Sequence, residues 1–221
     1  MSLVVIMAGG RGLRLHPLTE SRPKPMLEIG QKPILQIIVE GFRDQGFSRF
    51  VFCVHYRAEV IERHFGDGKS LDVDIGYIHE KEPLGTAGAL GLLPPQERPI
   101  IVQNGDILAD LDYRALYKEH EAHGSLATMA LAYHQYQVPY GVIEVDAAFV
   151  RSIKEKPIEA WAVNAGIYVL SPKLLREIKG RCDMPDVLAQ AEGFTRYYQI
   201  TGDWRDIGTF ASLDQARMGR T

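Results

Sequence analysis

Four short runs of mostly apolar, β-branched residues constrain this chain more than any other feature: LVVIM at 3–7, FVFCV at 50–54, DIGYI at 74–78 and PIIVQN at 99–104. Their length and apolarity read as strands buried on both faces. Helical patterns lie between them at 33–45, with Ile34, Ile37, Ile38 and Phe42 on one face, and at 57–65 and 86–93. Gly46, Gly66, Gly68 and Pro94-Pro95 punctuate the ends of those helices. Strands and helices in alternation predict a mostly parallel sheet flanked by helices, an α/β fold.

Beyond residue 111 the rhythm loosens. A helix at 113–123 precedes the strand-like segments SLATMALAY, YGVIEV and AGIYVL, a helix near 172–179, another at 184–192, a strand at 195–200 and a last helix from about 209. This half reads as mixed. With no low-complexity linker and no repeat, residues 1–221 are expected to form one domain with halves of about 1–111 and 112–221. The first strand begins behind only MSL, as in a domain cut from a longer protein.

Charge and cysteine content narrow the function classes. A net charge of -3 gives no general attraction to nucleic acid or membrane, so neither is an expected partner. No apolar run approaches the roughly 18 residues of a membrane span. Cys53 and Cys182 form no metal or disulfide spacing, which fits a reducing compartment, and a cytoplasmic location is expected.

The stretch MAGGRGLRLHPLTESRPKPML, residues 7–27, leaves the first strand with Gly9, Gly10 and Gly12 beside Arg11, Arg14, Arg22 and Lys24. A glycine loop at the carboxyl edge of a parallel sheet can aim its N–H groups at phosphate oxygens. The dinucleotide fingerprint fails because Leu15 stands where its third glycine belongs, and the P-loop fails because Pro25 follows Lys24. A rigid cationic loop is left, kept out of helix by Pro17, Pro23 and Pro25.

Further features lie downstream. Asp106 in QNGDIL follows a strand at the same sheet edge, a place for a magnesium ligand or for an ordinary N-G-D turn. Asp206 in GDWRDIG offers a second carboxylate, with Asp203 and Asp110 as competitors. EKEPLGTAGAL has a turn at Pro83-Leu84-Gly85 and then small residues from Thr86, which suit either ligand approach at a helix start or tight packing. Lys154, Glu155 and Lys156 precede a proline and also read as a solvated charge run.

In order along the chain, these segments resemble the sugar-1-phosphate nucleotidyltransferases, also called sugar-nucleotide pyrophosphorylases. AGGRGLRLHPLTESRPKPML resembles their signature loop, EKEPLGTAGAL their base-recognition segment, QNGDIL and WRDIG their metal aspartates, and KEKP and NAGIYVL their sugar-site segments. The one departure in the loop is Leu13, where members usually carry threonine or serine. The resemblance implies a Rossmann-like fold with a nucleotide-binding first half, a sugar-binding second half and Mg2+ as cofactor. A homo-oligomer is compatible with it, since relatives often dimerise.

It also implies the roles. The phosphate of a sugar 1-phosphate attacks the α-phosphorus of a nucleoside triphosphate and pyrophosphate leaves. The backbone from Ala8 through Gly9, Gly10, Arg11, Gly12 and Leu13 holds the phosphates and Arg14 stabilises the leaving group. Lys24 faces the attacked phosphate, and Asp106 and Asp206 hold the metal. Pro83, Gly85 and Thr86 line the base site. Lys156 grips the sugar phosphate, with Glu155, Gly141, Asn164 and Thr209 in the same pocket. No histidine is assigned a role. Glu80 stands where thymidylyl and uridylyl relatives usually show glutamine; an ionised carboxylate only accepts hydrogen bonds, which suits guanine's adjacent donors and favours GTP. Uridylyl or thymidylyl transfer is the alternative within the family, and a catalytically silent sugar-nucleotide-binding subunit the alternative outside catalysis.

Overall fold

The computed structural model describes residues 2–219. In chain order the elements are β1 (Leu3–Met7), β2 (Glu28–Ile29), β3 (Lys32–Pro33), α1 (Ile34–Asp44), β4 (Arg49–Val54), α2 (Ala58–Phe65), β5 (Asp74–His79), β6 (Ile100–Asn104), β7 (Ile107–Ala109) and α3 (Tyr113–His123). There follow β8 (Ala127–Gln137), β9 (Gly141–Asp146), β10 (Phe149–Glu155), β11 (Ile158–Leu170), α4 (Pro172–Leu175), α5 (Met184–Gln190), β12 (Thr195–Gln199), β13 (Trp204–Asp206) and α6 (Phe210–Met218).

The main sheet runs β12-β8-β11-β6-β1-β4-β5 and so joins both halves of the chain. Only β11 is reversed: it pairs antiparallel with β6 and β8, and every other pairing in the sheet is parallel. The expected mostly parallel sheet is thus present. Successive residues of β1 face opposite layers. Val4 and Ile6 pack with α1, α2, α3 and α6, whereas Val5 packs with α4, α5 and Leu90. A sheet covered on both faces explains why its central strands are apolar throughout.

Register places the loops that matter. Met7 lies opposite Cys53 in β4 and Asn104 in β6, so the turns after β1, β4 and β6 leave at one edge. Two shorter features refine this edge. The strands β7 and β13 pair antiparallel, with Asp206 opposite Ile107. The long strands β8 and β11 run past the buried sheet, and beyond them β9 and β10 pair only with each other.

One predicted helix is not an α-helix. Residues 86–93 contain only a 3-10 segment, Gly88–Leu92. The carbonyls of Gly180 and Ile178 press so close to Gly88 and Gly91 that a β-carbon would collide with either. The small residues there serve packing, and Thr86 does not begin a helix. The predicted helix near 172–179 is likewise confined to α4; the other predicted helices and strands are present, but β8 runs on to Gln137, β11 begins at Ile158, well before the expected AGIYVL, and β10 was not among the expected strands.

Candidate active site

The β7–β13 ribbon brings together two aspartates that lie 100 residues apart in sequence. Asp206 ends β13, and the Ile207 N–H donates to the Asp106 carbonyl at 2.9 Å. Between the two carboxylates stands Lys24, 7% exposed. Its ammonium pairs with Asp106 and lies 3.8 Å from Asp206 Oδ1. Burial raises the Asp206 carboxyl above its ordinary range and the neighbouring Asp106 charge adds to the rise, with Lys24 and Arg14 opposing it. Arg14 approaches from the other side: a β-carbon on Gly208 would lie 2.9 Å from Asp206 Oδ1 and 3.0 Å from Arg14 Nη2. Neither Asp110 nor Asp203 joins this cluster. Asp203 pairs with Arg205, and the Asp110 N–H donates to the Asp203 carbonyl.

The glycine loop is held from below and open above. Leu15 is fully buried and Thr19 Oγ1 donates to the Gly12 carbonyl at 3.0 Å. Gly12 has φ 64°, and a β-carbon there would meet Lys24 and Thr19 at 3.0 Å, so the position requires glycine. Among the described residues, the N–H groups of Gly9, Gly10, Arg11, Gly12 and Leu13 find no acceptor within the chain. Unpaired amides beside Arg14 and Lys24 form a concentrated set of donors for an anion. The Leu13 side chain is 71% exposed.

Glu80 forms the opposite wall. It is 8% exposed, accepts the Leu84 N–H on Oε2 at 2.9 Å, and holds Oε1 against Gly9, where a β-carbon would lie 2.5 Å away. One oxygen is therefore used to set the loop that follows, and the other lies at the glycine. Pro83, Gly85 and Thr86 complete this wall, although the Thr86 hydroxyl is engaged by Asp183 and the Met184 N–H. The loop from Ala8 to Arg14, Lys24, Glu80, Pro83, Gly85, Thr86, Asp106 and Gly208 line one cleft of about 570 Å³, whereas Asp206 and Asp183 do not.

The expected sugar-site residues are less gathered. Gly141 and Glu155 are paired across β9 and β10, and the Lys156 N–H donates to the Tyr140 carbonyl, which keeps these three together at the base of the ribbon. Asn164 accepts the Gly166 N–H on Oδ1 at a register shift in β11. Thr209 caps α6 by accepting the Ser212 N–H. None of the five lines the cleft.

Residues 3–221 match the family model described as nucleotidyl transferase. The chain belongs to the nucleotidyl transferase family. Among curated members, the mannose-1-phosphate guanylyltransferase catalytic subunit beta of Drosophila melanogaster is 35% identical over 218 residues, covering 92% of this chain and 58% of that protein. The corresponding subunit of Danio rerio is 35% identical, covering 92% and 60%. The chain thus spans about three fifths of the length of these relatives. Among solved structures, HddC from Yersinia pseudotuberculosis is 29% identical with a TM-score of 0.79 and full coverage of both chains. A glucose-1-phosphate thymidylyltransferase from Bacillus anthracis shares the nucleotidyl transferase fold at 24% identity and a TM-score of 0.80, covering 99% of this chain and 94% of that one.

Sequence reasoning missed His55, Asn104, Pro25 and Gly208 as cleft-lining residues of this nucleotidyl transferase. His55 holds its Nδ1 2.8 Å from the Glu80 carbonyl. Its place just past the end of β4 was a usable signal, because ligands collect at the carboxyl edge of parallel strands.

Proposed function

We propose that this chain transfers a nucleoside monophosphate, GMP by preference, from a nucleoside triphosphate to a sugar 1-phosphate and releases pyrophosphate. One observation carries the reading: a single cleft joins the run of unpaired amides from Gly9 to Leu13, with Arg14 and Lys24, to Asp106, and Lys24 links Asp106 to Asp206 just outside the lining. Such a site can hold a triphosphate and neutralise the charge that moves during transfer. A phosphate monoester is largely dianionic at neutral pH, its second pKa being about 6, so the attacking group needs no strong base.

Two adjacent carboxylates with room for phosphate oxygens fit a hard divalent cation, and we assign Asp106 and Asp206 as the residues that hold Mg2+. Bound there, the metal would supply charge neutralisation at the phosphates. The remaining work falls to the chain. The loop amides and Arg14 hold the leaving pyrophosphate. Lys24, already between the aspartates, lies within reach of the phosphate nearest them. Glu80 reads the base, and a structure of HddC complexed with GMP-PN, 27% identical with a TM-score of 0.77, supports a guanine nucleotide as the ligand. We assign the nucleotide to residues 1–111 and the sugar 1-phosphate to residues 112–221, with Lys156, Glu155, Gly141, Asn164 and Thr209 on its path. Unpaired Cys53 and Cys182 support a cytoplasmic setting. Among the described residues no helix is long and apolar enough to cross a membrane.

A matrix assay tests this directly. GTP, UTP, dTTP, CTP and ATP are each supplied with a panel of sugar 1-phosphates and Mg2+, and pyrophosphate is read. Release fastest with GTP is the expected result; faster release with UTP or dTTP overturns the base assignment, and release with none overturns the activity.

A further inference from the structure

The base wall of the cleft is fixed from behind by a segment far away in sequence. Cys182 N–H donates to the Leu84 carbonyl at 3.0 Å, and Ala87 N–H donates to the Cys182 carbonyl at 3.1 Å. Asp183 then takes both the Thr86 N–H, at 2.8 Å, and the Thr86 hydroxyl, at 3.1 Å, on its Oδ1. The Met184 N–H donates back to the Thr86 hydroxyl at 2.8 Å. Gly85 sits at φ 80°, with the Cys182 carbonyl so near that a β-carbon would collide. Residues 84–87 are therefore clamped between Glu80 inside the cleft and Asp183 outside it.

From this geometry we propose that Asp183 is a positioning residue for nucleotide recognition, setting affinity and base choice through Thr86 without touching the ligand. The proposal rests on the nucleotide reading above. Asp183 does not line the cleft, yet it holds the loop that carries Pro83, Gly85 and Thr86. Both hydrogen bonds from Thr86 to this carboxylate are charge-assisted and converge on one oxygen. Without them the Thr86 N–H turns to solvent and the loop is secured mainly by its two bonds to Cys182 and by Glu80. Its fit to a base then loosens while the phosphate cradle, built on β1, stays in place.

The test uses Asp183→Ser, because serine still suits the start of α5 but is too short to reach Thr86. Calorimetry with a non-hydrolysable GTP analogue and Mg2+, in the absence of sugar phosphate, should show affinity falling about tenfold, as expected for loss of a charge-assisted bond. In turnover the GTP KM should rise and preference over UTP should narrow, with kcat and the KM for sugar 1-phosphate within twofold of wild type. Asp183→Asn, which keeps a carbonyl acceptor, should recover most of the affinity. Thr86→Val should weaken binding less, and should add nothing to Asp183→Ser if both act through one contact. Unchanged analogue affinity in Asp183→Ser overturns the proposal alone. Parallel loss of kcat, both KM values and thermal midpoint also overturns it, as the mark of a merely structural residue. A wild-type chain that binds no triphosphate overturns this inference together with the function on which it rests.

Discussion

Around the cleft, Lys24 and Glu80 are each less than a tenth exposed and held by named partners, whereas every residue of β9 from Gly141 to Asp146 is exposed. The ribbon even leaves Ile143, Val145, Val150 and Ile153 in solvent, with Ile143 opposite Ile153 and Val145 opposite Val150 on one face. An isolated two-stranded ribbon is marginal on its own, so its position is less constrained than that of the cradle. The comparison teaches which parts of the chain are rigid enough for fixed contacts and which are not. Phosphate chemistry needs fixed donors that undergo little rearrangement during transfer. Under the proposed function, contacts to a sugar would fall to the looser ribbon, which can adjust them.

Three substitutions would break or sharpen this contrast. The largest effect is expected at the rigid side: Asp106→Asn should lower pyrophosphate release by about a thousandfold, the scale of losing a key electrostatic contact, while circular dichroism and thermal midpoint stay near wild type. Activity within tenfold of wild type would show that the aspartate pair is not the centre of the site. Next comes Gly9→Ala, whose new methyl would meet Glu80 Oε1 at 2.5 Å. If the cradle is as unyielding as its packing suggests, nucleotide affinity measured by titration should drop about tenfold, a cost of roughly 1.4 kcal/mol; an unchanged affinity would mean that Glu80 swings aside freely. Smallest is Lys156→Ala on the open side. It should raise the KM for sugar 1-phosphate about fivefold, in the range of a partly exposed charge contact, and leave nucleotide affinity alone. Equal effects on both substrates would erase the division between the two sides.

How much of this was legible in the sequence differs in the same way. The strands β1, β4 and β6 were legible because burial on both faces leaves a mostly apolar run that needs no partner to be recognised; β5 is a strand as expected but lies at the sheet edge with only Ile75 buried, so it is not the doubly buried strand its apolar residues implied. The 86–93 segment was misjudged because its fate depends on Gly180 and Ile178, nearly a hundred residues away, pressing on Gly88 and Gly91. In β11 only the buried end AGIYVL advertised a strand, while the exposed stretch from Ile158 has no core to pattern it. Asp106 and Asp206 were visible as carboxylates near strand ends. Their pairing was not, since β7 and β13 are three residues each and too short for any periodicity. Asp183 was invisible for a similar reason: its partner Thr86 is chosen by tertiary contact alone.

The place of Lys24 has a consequence for assembly. Two neighbouring carboxylates repel each other, and in a chain that lacked a cation between them that repulsion would oppose folding. Here the counter-ion is covalently attached, so it cannot be diluted or dialysed away. The aspartate pair is therefore compatible with folding in a medium free of divalent ions, and chelation should silence such a site without unfolding it. Asp106 and Asp206 would hold the metal, which would supply charge neutralisation there, and the Lys24 ammonium would then be available to phosphate oxygens.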